Sequence, residues 1–147
     1  MPGISAPPLK GTRILSVEQY GAGPYASMYM ADMGAEVIKI ESPATGGDSS
    51  RASGPHFLGD NDSHFFQTFN LGKKSLSLDL RHPRGKKVLH RLVGDADAVL
   101  NNLRGDLPGK LGLTYADLCT FNPRIVCTHL SGYGRTGERA AWPAYDY

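Results

Sequence analysis

The chain has 147 residues, a length that suits one domain with a buried core. Its 16 Lys and Arg residues nearly balance 14 Asp and Glu residues, so the net charge of +2 excludes strong electrostatic steering onto nucleic acid or membranes. The sequence has neither a ~18-residue apolar run nor a signal-peptide pattern at its start. Two cysteines are too few for a disulfide framework, which favours a reducing, cytoplasmic location.

The first third of the sequence predicts a β-α-β unit. Residues 13–17 read as a strand, and residues 25–33 read as a helix with Pro24 at its first position. Gly34 suits the end of that helix, because glycine tolerates the left-handed backbone common there. Residues 36–40 alternate polar and apolar side chains, as a second strand should. Such a unit implies parallel strands joined by a right-handed crossover.

The remaining elements continue the same alternation. Residues 42–62 are rich in glycine and proline and predict a long loop, functional or mobile. Further strands are predicted at residues 75–80, 98–100 and 124–130. Further helices are predicted from Pro83, with Val88, Leu89, Leu92 and Val93 on one face, and over residues 115–121, with Thr114 and Asp117 as a capping pair. A glycine-rich loop follows at residues 131–137.

Alternating strands and helices predict an α/β fold, with a Rossmann-like, mostly parallel sheet flanked by helices. We expect residues 1–7 to form a flexible leader and residues 8–147 to form the folded part of the chain.

A short glycine motif offers one interpretation of function. Gly21-x-Gly23-x-x-Ala26 follows a strand and opens a helix, and Glu41 lies twenty residues after the first glycine. This is the pattern of a dinucleotide site, where the acid binds the ribose hydroxyls. Pro24 removes a backbone donor that a pyrophosphate would need. A nicotinamide or flavin nucleotide and a purely structural glycine turn both remain open.

A larger set of spaced motifs covers nearly the whole chain from Pro8 onward. It comprises Pro8-Leu9-Lys10-Gly11, Ala22-Gly23-Pro24-Tyr25-Ala26, residues 31–41, Gly46-Gly47-Asp48 with Arg51, Asn70 with Lys73-Lys74-Ser75, Leu78-Asp79-Leu80-Arg81, Leu111-Gly112-Leu113, Asn122-Pro123-Arg124 and Ser131-Gly132-Tyr133-Gly134. These motifs resemble the N-terminal segment of family III CoA-transferases, the formyl-CoA and carnitine CoA-transferase group, whose relatives include alpha-methylacyl-CoA racemases.

The resemblance implies a function and a partner. Family members move coenzyme A between carboxylic acids through an aspartyl-CoA thioester, and they form interlocked homodimers from chains much longer than this one. The nucleophilic aspartate is expected beyond Tyr147, so no catalytic residue is expected within the chain, which supplies the CoA-binding part. Asp146 belongs to the preceding motif and is not expected to be the nucleophile.

The resemblance also implies which positions contact coenzyme A or an acyl-CoA substrate. They are Gly21, Ala22, Leu78, Asp79, Arg81, Asn102, Leu103, Arg104, Lys110, Ala144, Tyr145 and Asp146. Arginine and lysine suit the phosphates of the coenzyme, because charged donors make the stronger hydrogen bonds to anions. Arg81 and Arg104 each follow a predicted strand, and open α/β sheets bind ligands at the carboxyl ends of their strands.

The chain departs from the family pattern at several positions. It has Asn101-Asn102-Leu103-Arg104-Gly105-Asp106 where Glu-Asn-Phe-Arg-Pro-Gly is common, so an aromatic platform and a stiffening proline are lost. Ser42 stands where well-known members have arginine, and Arg84 replaces a usual glutamate. These changes predict altered affinity for the coenzyme, without fixing its direction.

The subclass is argued from one further motif. Related racemases use the histidine of a Gly-His-Asp motif as a base, whereas this chain has Ala144-Tyr145-Asp146. An ordinary tyrosine hydroxyl loses its proton only near pH ~10, so group transfer is favoured over racemisation. The five histidines show no metal-ligand spacing, and no metal is expected. A racemase relative and a non-catalytic CoA-binding or oligomerisation fragment remain alternatives.

Overall fold

The computed structural model describes residues 6–145, and a parallel sheet is its centre. The strands are β1 (Arg13–Val17), β2 (Glu36–Glu41), β3 (Phe57–Gly59), β4 (Asp62–Ser63), β5 (Lys74–Ser77), β6 (Ala98–Asn101) and β7 (Val126–His129). The helices are α1 (Ala22–Asp32), α2 (His64–Asn70), α3 (Pro83–Gly94), α4 (Leu107–Leu111) and α5 (Tyr115–Leu118).

The five-stranded sheet has the order β5-β2-β1-β6-β7, and every neighbouring pair is parallel. The chain runs outward from β1 to β2 and β5, and then returns to the other side of β1 at β6. The strand order therefore reverses between β1 and β6, where an open α/β sheet leaves a crevice for ligands. This architecture confirms the predicted α/β fold.

Both faces of the sheet are buried. Neighbouring residues of β1 point to opposite faces, and each face packs against its own hydrophobic core. On one side, Leu15 packs with Leu89 of α3 and with Leu118 of α5 in the larger core. On the other side, Ile14 packs with Val37 in a smaller core. A central strand with two apolar faces needs a nearly continuous hydrophobic sequence, and β1 has one.

Helix α1 begins earlier than the sequence predicted. It starts at Ala22, because the Tyr25 amide already donates to the Gly21 carbonyl. Pro24 is thus the third helical residue, where an absent N–H costs no intrahelical hydrogen bond. The predicted end is confirmed, since Gly34 follows the last turn with a φ of 97°.

Several predicted elements are longer than the observed ones. Strand β5 ends at Ser77, because the chain turns at Asp79, whose side chain accepts a hydrogen bond from the Arg81 amide. Helix α5 ends at Leu118, and β7 is limited to residues 126–129. The capping box of Thr114 and Asp117 is confirmed. Within α3, Leu89 and Val93 are buried as expected, but Val88 is exposed.

The predicted long loop contains more structure than its composition indicated. Residues 42–62 include two short 3-10 turns, Pro43–Thr45 and Ser49–Ala52, and most of the β3–β4 hairpin. Helix α2 follows directly, with the Ser63 hydroxyl accepting a hydrogen bond from the Phe66 amide at its start. Neither α2 nor α4 was predicted.

The remaining predictions concern the ends of the chain and membranes. Within the proposed leader, residues 1–5 lie outside the described part, and the Pro7 carbonyl accepts a hydrogen bond from the Lys10 amide. Between residues 6 and 145, no helix combines the length and the apolar character that crossing a bilayer requires.

Candidate functional site

An asparagine side chain joins β1 to β6 at the switch point of the sheet, the place where the strand order reverses. Asn102 follows β6, and its side-chain Oδ1 accepts a hydrogen bond from the Gln19 amide (2.9 Å) while its Nδ2 donates to the Gln19 carbonyl (2.8 Å). These two bonds join the ends of β1 and β6. Leu103 packs against the larger core, whereas Arg104 has a side chain 45% exposed. Of these three predicted ligand contacts, Arg104 is exposed, whereas Asn102 and Leu103 are half-buried.

The two glycines before α1 have different surroundings. A Cβ added to Gly23 would lie 2.8 Å from Asn102 Cγ and 2.9 Å from Glu18 Cβ, so this glycine allows α1 to approach both strands. A Cβ added to Gly21 would meet no atom of residues 6–145 within 4 Å. Gly21 and the exposed Ala22 therefore border open space at the first turn of α1, where backbone N–H groups lack intrahelical partners.

A buried ionic cluster lies beneath the switch point. We define it by its residues, Glu18, Lys39, Asp48, Asn70 and Lys73. The Lys39 ammonium donates to the Asp48 carboxylate and to Asn70 Oδ1 (2.8 Å). The Lys73 ammonium donates to Glu18 Oε1 (2.9 Å) and to the same Asn70 oxygen (3.1 Å). Two positive and two negative groups therefore share one network with almost no solvent contact.

The cluster connects elements that are distant in sequence. Asp48 belongs to the loop after β2, and its Oδ1 also accepts a hydrogen bond from the Tyr20 amide at 2.9 Å. Burial raises the pKa of Asp48, but hydrogen bonds and the Lys39 charge outweigh it and hold that pKa below its usual range. Burial lowers the pKa of Lys73, although the Glu18 carboxylate opposes the change. The cluster thus fixes the loop beside the ligand edge.

Glu41, the acidic residue of the dinucleotide motif, forms a second buried ion pair with Arg51. Glu41 accepts two hydrogen bonds from Arg51, each 2.8 Å long, and one from the Ser75 hydroxyl at 2.9 Å. The Arg51 guanidinium lies 3.7 Å from the centre of the Phe66 ring. Burial raises the pKa of Glu41, but these bonds keep it below its ordinary value. Glu41 is thereby engaged inside the protein, which disfavours a ribose-binding role.

The end of β5 forms an open groove with a volume of about 450 Å³. It lies between the turn after β5 and the first turns of α3, and its lining includes Leu78, Asp79, His82, Arg84 and Val88. The apolar floor and the charged border suit a ligand that has both a flat apolar part and an anionic part.

A close backbone contact supports this groove. A Cβ added to Gly85 would lie 1.9 Å from the Asp79 carbonyl oxygen, so only glycine lets α3 approach the turn. Arg81, on the same turn, is exposed. The groove therefore brings together two predicted contacts, Leu78 and Asp79, while Arg81 lies on the adjoining turn outside the lining.

The loop after β6 and the following helix α4 form an exposed ion-pair group, which we define as Arg104, Asp106 and Lys110. Lys110 Nζ lies 2.7 Å from Asp106 Oδ2, and Arg104 Nε lies 3.3 Å from Asp106 Oδ1. The hydrogen bond from Lys110 lowers the pKa of Asp106. Both cations are among the predicted contacts, whereas the carboxylate that they share is not. The four-residue spacing of Asp106 and Lys110 was the available signal.

Two close contacts at glycines hold the C-terminal segment against the loop at the carboxyl end of β6. A Cβ on Gly105 would lie 1.9 Å from the Gly134 carbonyl oxygen, and one on Gly132 would lie 2.1 Å from Ala144 Cβ. The glycine-rich loop therefore packs between the β6 loop and Ala144. Tyr145 is 79% exposed, and Asp146 lies outside the described residues.

The predicted contacts share one edge of the sheet but not one pocket. Three strand spacings, together ~14 Å, separate the end of β5 from the end of β6. A ligand that contacts both Arg81 and Arg104 must therefore be extended. Within residues 6–145, no three His, Cys, Asp or Glu side chains are grouped as metal ligands.

Comparison with known proteins decides the family. The family model described as CoA-transferase family III matches residues 9–147. The chain belongs to this family. Its resemblance to the N-terminal segment of family III enzymes is thereby confirmed, because the chain spans only about a third of the curated relatives' length.

Two curated relatives and two crystal structures illustrate the similarity. The chain is 40% identical to succinate–glutarate CoA-transferase of Agrobacterium fabrum, covering 96% of this chain and 36% of that one. It is 39% identical to succinyl-CoA:glutarate CoA-transferase of Mus musculus, covering 97% and 32%. Rv3272 from M. tuberculosis has a TM-score of 0.86 at 38% identity, covering 96% and 39%. A CAIB/BAIF family protein from Brucella suis has a TM-score of 0.85 at 34% identity, covering 97% and 38%.

Proposed function

We propose that the chain is the CoA-binding N-terminal part of a CoA-transferase that moves coenzyme A between two carboxylic acids. One observation carries this proposal: cationic side chains stand in solvent at the carboxyl ends of parallel strands. Arg84 lines the β5 groove, the exposed Arg81 lies on the turn beside it, and Arg104 and Lys110 lie after β6. Such side chains make charge-assisted hydrogen bonds to phosphates, and coenzyme A has phosphates at its nucleotide end.

The shape of the edge supports an extended nucleotide thioester. The β5 groove has apolar walls from Leu78 and Val88 for a flat ring, and cations are placed along ~14 Å of the edge. The same edge ends near Ala144, which we assign to the thioester end of the ligand. A dinucleotide would instead need a free acid at Glu41, and that acid is paired with Arg51.

The chemistry follows from a carboxylate nucleophile, which we place beyond Tyr147 in the protein. A carboxylate oxygen attacks the thioester carbonyl carbon, the carbon–sulfur bond breaks, and the coenzyme leaves as a thiolate. The thiolate then attacks the aspartyl carbonyl carbon of the anhydride, which releases the donor acid and forms an aspartyl-CoA thioester. The acceptor carboxylate reverses both steps, so the cycle consumes no oxidant, reductant or net proton.

Racemisation is the second candidate function, and one position argues against it. Tyr145 stands where racemase relatives have a histidine, and a phenol is a weak base at neutral pH. We also propose a cytoplasmic homodimer, by analogy with the interlocked dimers of the family. A non-catalytic CoA-binding role for the chain alone is the third candidate, and an activity assay separates it from the first.

Calorimetry with coenzyme A tests the binding half of the proposal. The Arg104→Gln variant should bind coenzyme A about tenfold or more weakly, because it loses a charged hydrogen-bond donor. Arg124→Gln is the matched control, since the exposed Arg124 precedes β7 at the opposite edge of the sheet. If both variants bind coenzyme A as tightly as the unaltered protein, Arg104 is not part of the CoA site.

A transferase assay tests the activity itself. Full-length protein should transfer coenzyme A from succinyl-CoA to glutarate or another dicarboxylate, the substrates named for its relatives. Proton exchange beside the thioester without transfer would favour the racemase, and binding without either reaction would favour the non-catalytic role.

A further inference from the structure

We infer that Asp106 is an internal competitor for the cations that bind the coenzyme, and that it weakens phosphate binding at the β6 loop. This inference rests on the proposed function, and it adds a residue that sets the affinity of the same site. Both cations of the loop contact the one carboxylate: Lys110 at 2.7 Å and Arg104 at 3.3 Å. A phosphate that binds either cation competes with this carboxylate for the same positive charge.

The position of Asp106 would ordinarily give its side chain another task. It is the N-cap residue of α4, where an aspartate usually accepts a hydrogen bond from a backbone amide of the first turn. Within the described part of the chain, Asp106 makes no such capping bond, and Pro108 offers no amide hydrogen at the second helical position. Its carboxylate is therefore committed to the two cations.

Exposure decides which group moves when an anion arrives. The side chains of Arg104 and Lys110 are 45% and 67% exposed, whereas that of Asp106 is only 17% exposed. Asp106 Oδ1 is buried and has no hydrogen bond from any residue of the described range, although Arg104 lies within ion-pair distance. The cations can turn toward a ligand while the carboxylate stays behind them. The remaining negative charge then repels the phosphate.

Removing this charge while preserving its shape provides the test. In full-length protein, Asp106→Asn should tighten the calorimetric dissociation constant for coenzyme A about three- to tenfold, the effect of one or two exposed ion pairs. The gain should shrink in high salt, because screening weakens interactions between exposed charges. Glu36→Gln is the matched control, since Glu36 also pairs with two cations, Arg13 and Lys74, at the opposite edge of the sheet.

A second variant protects the test against a folding defect. Asp106→Gly removes the carboxylate by another route and should tighten binding in the same direction. In an Arg104→Gln, Lys110→Gln background, Asp106→Asn should have a much smaller effect, because the cations it competes for are gone and only its repulsion of the phosphate remains. A purely structural role for Asp106 would not produce this coupling.

The outcomes separate the inference from the proposed function. If Arg104→Gln weakens binding but Asp106→Asn and Asp106→Gly leave it unchanged or weaker, Asp106 is no competitor and the CoA site stands. If neither the unaltered protein nor any variant gives heat with coenzyme A, the proposed function itself fails. Tighter binding in both Asp106 variants, with Glu36→Gln unchanged, supports the inference.

Discussion

The buried ionic cluster and the exposed ion-pair group use the same residue types for opposite purposes. In the cluster, Lys39 and Asp48 have side chains that are 1% and 0% exposed, and the Lys39 ammonium donates to Asp48 and Asn70 inside the protein. In the exposed group, Lys110 is 67% exposed and can exchange its carboxylate for water or a ligand. Burial, rather than charge, separates the scaffold of this edge from its binding groups.

The energetic consequences of the two arrangements differ in size. A charge left alone in a protein interior keeps its desolvation cost, so breaking a buried pair is strongly destabilising. An exposed pair contributes little to folding, because water and salt replace the lost partner. Substitutions in the first region should therefore act on stability, and those in the second should act on ligand affinity.

The largest effect is expected from Asp48→Ala, which leaves the Lys39 ammonium without its carboxylate. We expect the free energy of unfolding to fall by about 3–5 kcal/mol, as for other buried pairs that lose one partner. Urea unfolding followed by circular dichroism measures this loss. The double variant Lys39→Met, Asp48→Leu should be more stable than Asp48→Ala, because it removes both charges. A loss as small as that of Asp106→Ala would show that burial does not separate the two regions.

The second-largest loss of stability is expected at Gly23, in the first turn of α1 beside the switch point. Gly23→Ala places a Cβ 2.8 Å from Asn102 and 2.9 Å from Glu18, so α1 must shift away from the cluster. Overpacking of this kind costs about 1–3 kcal/mol. Gly21→Ala is the control, because its Cβ would meet nothing within 4 Å among residues 6–145. Gly21→Ala should leave the free energy of unfolding unchanged. If this variant binds coenzyme A more weakly, the ligand lies beside Gly21. Equal unfolding midpoints would contradict the packing role of Gly23.

The sequence predicted the parts of this edge that local patterns encode. Alternating and apolar runs predicted the core strands, and Arg81 and Arg104 were placed at the ligand edge because each follows a strand. The buried ionic cluster was not visible, because Lys39 looked like an ordinary solvent-facing residue of an alternating strand. Its partners Asp48 and Asn70 are 9 and 31 residues away. Only the folded chain shows that three elements meet there.

Helix α2 was missed for a related reason. It has only 7 residues, and a run this short does not establish a helical period, even with Phe65, Phe66 and Phe69 on it. The helix is instead fixed from outside, by the Ser63 cap and by the contact of Arg51 with the Phe66 ring. Tertiary contacts of this kind override local pattern. The predicted ligand contacts, by comparison, came from the resemblance and stay predictions until binding is measured.

A smaller effect is expected from acid. The pKa values of Asp48 and Glu41 are lowered in the folded protein, so the unfolded chain takes up protons first as the pH falls. Their contribution to stability is complete above the ordinary carboxyl pKa of ~4 and is lost as the pH falls through the lowered values. Urea midpoints measured between pH 7 and pH 3 should drop below about pH 5. Glu41→Gln should flatten this dependence, and a midpoint constant down to pH 3 would contradict it.

The smallest effect on stability should come from Lys110→Gln, because the ammonium is 67% exposed and Asp106 keeps Arg104 as an ion-pair partner. The urea midpoint should match that of the unaltered protein, while the dissociation constant for coenzyme A should rise several-fold and become less sensitive to salt. Lys10→Gln, another exposed lysine but in the turn before β1, should change neither quantity. A stability loss without an affinity change would assign Lys110 to the scaffold. The distinction between buried charges that stabilise the fold and exposed charges that bind the ligand would then be wrong for Lys110, the residue where it is most easily tested.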